Sequence, residues 1–200
     1  AVWQALPAQR SNPLLGRIGW PAAIALAAQG VWSTYTQLAN LTAISAAIIL
    51  VSLAGLLIVL RALVAEPSLS RGERIFVVPA FSALAAWLTA ATIVNISASL
   101  KYHGLAGAEP APLVTTVMIV IGSLIAATAA WQSRGAPLYG LVFAWALFAI
   151  NAAGGQRFAS IGWAAIFGIV LVLAVTGWQL SRRDSRRHWF GSGQGRPTLT

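Results

Sequence analysis

The chain has no cysteine, a single lysine, and only four acidic residues among its 200. Without cysteine there is no disulfide framework, no thiol chemistry and no cysteine-ligated metal. Four acids and two histidines, all in loops, span edges or the tail, give no nucleophile, base and orienting group for a hydrolase. No Asp, Glu, Lys or Arg stands in the middle of an apolar stretch, which weighs against a carboxylate proton relay and against a retinal Schiff base. The chain therefore reads as non-enzymatic, with no catalytic residue and no metal ligand set. Charged residues are 8% of the total, against roughly 25% in soluble domains, so a soluble fold is excluded as well.

What fills the chain instead is hydrocarbon: 58% of the residues are hydrophobic. A crossing takes about 20 apolar residues, and six such stretches can be drawn, at 18–37, 41–60, 75–100, 112–132, 137–153 and 158–180. Pro21, Pro79, Pro112 and Pro137 fall at or near their starts, where a missing N–H costs little. Gly154 and Gly155 close the fifth, as C-terminal glycines do. Only a tight turn separates the first two, which makes them an antiparallel hairpin. A membrane barrel would alternate polar and apolar residues, whereas 48–60 is apolar on every side. The expected fold is all-α: a polytopic membrane bundle with a six-helix domain at 18–180 and a basic cytoplasmic tail at 181–200. The apolar opening Ala1-Val2-Trp3-Gln4-Ala5-Leu6, stopped by Pro7, reads as the stub of a preceding helix with a linker to residue 17. That makes the chain a fragment, with a seventh span expected upstream.

Basic residues set the orientation. Arg10, Arg17, Arg61, Arg71, Arg74, Arg134, Arg182, Arg183, Arg186, Arg187 and Arg196 fall on one side of such a six-span map, and only Lys101 and Arg157 on the other. The first set is expected in the cytoplasm, with a bacterial inner membrane as the expected location. The net charge of +9 thus flanks apolar spans and does not point to nucleic acid. The arginine cluster of the tail, with His188 among it, is expected to attract anionic lipid headgroups.

Uncharged polar residues concentrate in what this map makes the outer half, among them Ser33, Thr34, Thr36, Thr42, Ser45, Thr92, Asn95, Thr115, Thr116, Asn151 and Ser160. In the third span Ser82, Thr89, Thr92, Asn95 and Ser99 fall within an arc of about 140° at helical periodicity. Such a stripe faces other helices or a cavity, either gluing the bundle together or lining an outward-facing pocket. Asn95 is its strongest member, since an amide both donates and accepts. Of the nine Trp, Trp20, Trp131, Trp163 and Trp178 lie toward span ends as interfacial anchors. Trp87 and Trp145 are deeper, expected to fill the core or to wall a flat aromatic ligand. His103, at the outer rim, reads as a solvated loop histidine, with haem ligation as the alternative.

The segment 81–98, FSALAAWLTAATIVNISA, is similar to a block of the larger relatives of the tryptophan-rich sensory protein family (the TspO/MBR or translocator-protein group). That block reads Trp-[Ile/Leu]-Thr-x-Ala-Thr-[Ile/Val]-x-Asn and is matched by Trp87, Leu88, Thr89, Ala91, Thr92, Ile93 and Asn95. RIGWPAAIALAAQGVW at 17–32 and LYGLVFAWALFAI at 138–150 resemble the same distant relatives, so the likeness covers most of the chain. The resemblance implies a helical membrane protein whose aromatic side chains line a site for a lipophilic molecule, with haem or another porphyrin as the candidate ligand. The core family's tryptophan-proline-rich helix start and Trp-Ser segment are absent in their usual form, and no binding residue is carried over from them.

The expected ligand-binding set is therefore Trp87, Thr89, Thr92, Asn95, Trp145 and Asn151, in a sensor or receptor for a hydrophobic small molecule. A carrier for a small neutral or lipophilic solute and an assembly subunit of a larger membrane complex are the alternatives. Homo-oligomerisation is compatible with each.

Overall fold

The computed structural model describes residues 2–105, 112–155 and 157–191, except for the side chains of residues 2, 154 and 155. Within them every regular element is helical: α1 (Val2–Ala5), α2 (Pro13–Leu38), α3 (Ala43–Ala65), α4 (Val78–Tyr102), α5 (Pro112–Gln132), α6 (Pro137–Ile150), α7 (Ala159–Ser181) and α8 (Arg183–Phe190). A π turn, Glu73–Val77, leads into α4, and another, Asn151–Gly155, follows α6.

Local chemistry explains where the helices begin. Asn12 caps α2, its Oδ1 accepting from the Leu14 and Leu15 amides at 3.0 and 3.4 Å, with Pro13 in the first helical position. The helix so begins five residues before the expected 18, inside the segment read as a linker. Ser70 and Glu73 form a reciprocal capping box ahead of α4. The Ser70 amide donates to Glu73 Oε2 at 2.7 Å, and the Glu73 amide to Ser70 Oγ at 3.3 Å. Thr42 caps α3 through a 3.2 Å bond to the Ile44 amide.

Five of these helical stretches are long and apolar enough to cross a membrane. The helix α6 is shorter, 14 residues before its π turn, or about 21 Å at 1.5 Å per residue.

Side-chain contacts fix how the helices run. Ser52 Oγ donates to the Ala25 carbonyl at 2.8 Å, and Tyr35 Oη meets Thr42 Oγ1 at 2.8 Å, so α2 and α3 form the expected antiparallel hairpin. Ser45 on α3 reaches Asn95 on α4, again antiparallel. Gly140 of α6 lies against Thr176 of α7, and Leu147 against Gly168, so these two run antiparallel as well. Helix α4 occupies the centre, packing on α3, α5 and α6, while α7 packs on α5 and α6.

An ion pair and the caps of α2 and α4 gather at one end. Arg17 binds Glu66, Asn12 Nδ2 donates to Glu73 Oε1 at 2.9 Å, and Trp3 stacks on Phe76 at 5.7 Å while covering Gly72. The basic tail is not merely solvated, because α8 turns back under this end with Ser185, His188 and Trp189 buried. Trp20, Trp131, Trp163 and Trp178 are exposed, as interfacial anchors require.

Candidate functional site

Thr89, Thr92 and Asn95 lie on the buried side of α4. Thr92 Oγ1 donates back to the Leu88 carbonyl at 2.7 Å, and Thr89 Oγ1 donates to the Ala85 carbonyl at 2.8 Å while lying 3.1 Å from Tyr139 Oη. Both hydroxyls are thereby engaged. Asn95 is different. Its Oδ1 accepts from Ser45 Oγ at 3.0 Å, but its Nδ2 is buried with no partner. Ser45 has a single hydroxyl proton, which also points at the Thr42 carbonyl 2.7 Å away. Turning the amide over would only exchange which of its two polar atoms is orphaned.

Two more buried polar atoms without partners, Gln29 Oε1 and Trp32 Nε1, belong to α2. The Ala25–Ser52 and Tyr35–Thr42 contacts set a register that puts Trp32 level with Ser45. Sequence reading overlooked both residues. Their signal was the same as that of Asn95, a polar group in an apolar run. Unpaired buried polar atoms are rare in folded proteins and call for an explanation.

The two deep tryptophans are not core residues, which corrects one expectation. Trp87 is 44% and Trp145 59% exposed, and their rings pack tilted at 33° to each other with centroids 5.4 Å apart across α4 and α6. On α4, Trp87 points away from the Thr89–Thr92–Asn95 side. Asn151 begins the π turn after α6, half-buried in a segment packed on α7. The six expected residues thus divide into a buried polar row, an outer aromatic pair and a helix end. His103 is exposed, yet its Nε2 accepts from the Ala43 amide at 3.3 Å, which makes it a second cap of α3.

A cleft of about 1100 Å3 lies at the opposite, arginine-bearing end, between α3 and α5. Leu57, Leu60, Val64, Leu124 and Ile125 form its apolar walls, and Arg61 and Arg134 also line it. None of the six expected residues touches it. A family model described as TSPO-like protein matches residues 1–178.

The chain belongs to the TSPO-like family.

No curated protein and no solved structure matches it.

In this TSPO-like bundle the turn from α5 to α6 is unusually constrained. The Gly135 amide donates to the Ala130 carbonyl at 2.8 Å and the Arg134 amide to the Trp131 carbonyl at 3.3 Å, the two bonds of a Schellman cap. Such a cap favours glycine at its left-handed position, but here Arg134 occupies it with φ 54°. That conformation costs a non-glycine residue about 1–2 kcal/mol. Neighbours hold it in place: Gln179 Nε2 donates to the Trp131 carbonyl at 2.8 Å, and Trp189 Nε1 to the Arg134 carbonyl at 3.1 Å.

Beside Trp189, His188 is buried, and neither ring nitrogen makes a well-formed hydrogen bond. Desolvation, with the nearby Arg134 and Arg74 charges, lowers its pKa to about 4, against opposing pulls from the Leu63 backbone and from Glu66. An undocked α8 would titrate near 6.5. Docking is therefore strongest above that pH and weakens as pH falls toward 4, by on the order of 3 kcal/mol in all. Protection factors of the amides of residues 183–190, with the intrinsic exchange rate at each pH divided out, are expected to be lower at pH 5 than at pH 7.5. In His188→Phe that difference should vanish, and an unchanged difference would assign it to other groups.

Proposed function

We propose that this TSPO-like protein is a non-enzymatic membrane receptor that holds a hydrophobic ligand, a tetrapyrrole first among candidates, within the bundle beside Asn95. The observation that carries the reading is the buried, unpartnered amide nitrogen of Asn95. A ligand with a polar atom at that depth would complete the set left open by Asn95, Gln29 and Trp32. Thr89 and Thr92 would shape the wall, and Trp145, Trp87 and Asn151 would line the approach from the α4–α6 side.

The same reading takes 137–153 as a sixth crossing, short in helix and lengthened by its π turn. Its antiparallel packing on α7 supports this. The arginine-bearing end then faces the cytoplasm, the Asn95 layer lies in the outer half, and the C-terminus is inside a bacterial inner membrane.

Protoporphyrin IX added to detergent-purified protein is expected to quench tryptophan emission saturably at micromolar concentration. Asn95→Leu should weaken that binding at least tenfold. Its thermal midpoint should change little, because Ser45 keeps its Thr42 carbonyl and the lost interhelical bond is worth roughly 1 kcal/mol. Absence of saturable quenching removes tetrapyrroles from the ligand list. Undiminished binding in Asn95→Leu removes the site.

A further inference from the structure

The cleft between α3 and α5 plays no part in the function proposed above, and its chemistry points to a different occupant. Its walls are aliphatic, and two of their residues, Leu124 and Ile125, are 51% and 55% exposed on the hydrocarbon side of the bundle. An occupant can therefore enter sideways from the bilayer. At about 1100 Å3 the space slightly exceeds small-molecule pockets of roughly 300–1,000 Å3. Two guanidinium-bearing residues, Arg61 and Arg134, line it together with Ser133, and no acidic residue does among the described residues. Trp131, 52% exposed, stands at the same rim, where indoles meet headgroups.

The turn that carries Arg134 adds an independent argument. A glycine would relieve the left-handed backbone at that position, yet a long cationic side chain is held there and lines the cleft. The bond from Trp189 to the Arg134 carbonyl, and that from Gln179 to the Trp131 carbonyl, keep the turn from relaxing. Strain maintained by surrounding structure is a mark of a functional position.

We propose that this cleft binds one anionic phospholipid from the adjoining leaflet. Arg61 and Arg134 hold its phosphate, and one acyl chain lies along Leu57, Leu60, Val64, Leu124 and Ile125. Mostly apolar walls with the charged groups at the mouth fit an amphiphile, and two cations with no acid among the described lining residues select an anionic headgroup over a zwitterionic one. The arginines of α8 (Arg183, Arg186 and Arg187) lie on a separate surface. They would attract the same lipids diffusely and without fixed stoichiometry.

Native mass spectrometry of the intact chain in detergent, titrated with phosphatidylglycerol or phosphatidylcholine of identical acyl chains, tests the assignment. One phosphatidylglycerol per chain is expected to be retained, with phosphatidylcholine at least tenfold weaker. Arg134→Gly and Arg61→Gln should each cut retention about tenfold. Arg134→Gly is expected to melt no lower than the parent, since it removes backbone strain, so a loss of lipid there is not a loss of fold. Replacing Arg183, Arg186 and Arg187 together by Gln should leave the single bound lipid in place. Equal retention of both lipids, retention undiminished in Arg134→Gly, or loss in the α8 triple variant would each overturn the proposal.

Discussion

Gly55→Leu is expected to destabilise the bundle in detergent severely. A Cβ at residue 55 would lie 2.7 Å from the Pro21 carbonyl oxygen and 2.9 Å from the Ala25 Cβ, so the clash is with the backbone of α2. Relief requires α2 to move off α3, and Ser52, bonded to the Ala25 carbonyl at 2.8 Å, opposes that movement. Overpacking ordinarily costs about 1–3 kcal/mol, and a backbone obstacle with four additional carbons places this variant at or above about 3 kcal/mol. Two companions calibrate the effect. At Gly122 the obstacle is the Ile93 side chain, its Cδ1 and Cγ1, and not backbone, so Gly122→Ala should cost about 1–3 kcal/mol, less than Gly55→Leu. At Gly177 an added Cβ meets nothing within 4 Å, and Gly177→Ala should be neutral or slightly stabilising. Thermal midpoints of the three variants, measured side by side, should rank in that order. A Gly55→Leu protein melting within a few degrees of the parent would show that the α2–α3 contact is looser than described.

Glu73→Ala should have the next largest effect. The side chain is 1% exposed, and its two oxygens serve the starts of two different helices. Oε2 accepts from the Ser70 amide that opens α4, and Oε1 accepts from Asn12, which caps α2. Removing the carboxylate strands both donors, at about 2–4 kcal/mol for a charged acceptor with two partners. Glutamine should not rescue it, since its NH2 would face one of the two donors. Asn12 cannot turn to accommodate that group, because its own oxygen is committed to the Leu14 and Leu15 amides. Ser70→Ala loses only one side of the capping box and should cost about 1 kcal/mol. Limited trypsinolysis at Arg10 and Arg71, together with the thermal midpoint, reads the effect. Indifference of both cleavage sites to Glu73→Ala would refute the shared-cap account.

Helix existence was legible in this chain and the inward face of each helix was not. Apolar runs interrupted by Pro, Gly and charge announce a membrane bundle, and each expected stretch finds its helix. What failed was deciding which face of each helix looks inward. Lipid and protein interior are equally apolar, so a run such as 48–60 carries no periodic mark of its buried side. Trp87 and Trp145 were misplaced for that reason. The polar stripe of α4 was readable because polar atoms avoid hydrocarbon, and Thr89, Thr92 and Asn95 are indeed buried. Helix boundaries were missed where capping chemistry extends a span past its apolar run, as Asn12 does for α2. The docked α8 did leave a trace: Ser185, His188 and Trp189 repeat at helical spacing among arginines. The cleft left none, since Arg61 and Arg134 are 73 residues apart and come to line one space only through the packing of α3 and α5 on α4.

The tilted, packed indoles of Trp87 and Trp145 also give the molecule an optical gauge. Two such chromophores in contact couple their electronic transitions, and the coupling depends steeply on separation and mutual tilt. Near-ultraviolet circular dichroism therefore carries a signal belonging to the α4–α6 contact, readable without any attached label whenever those two helices part or slide.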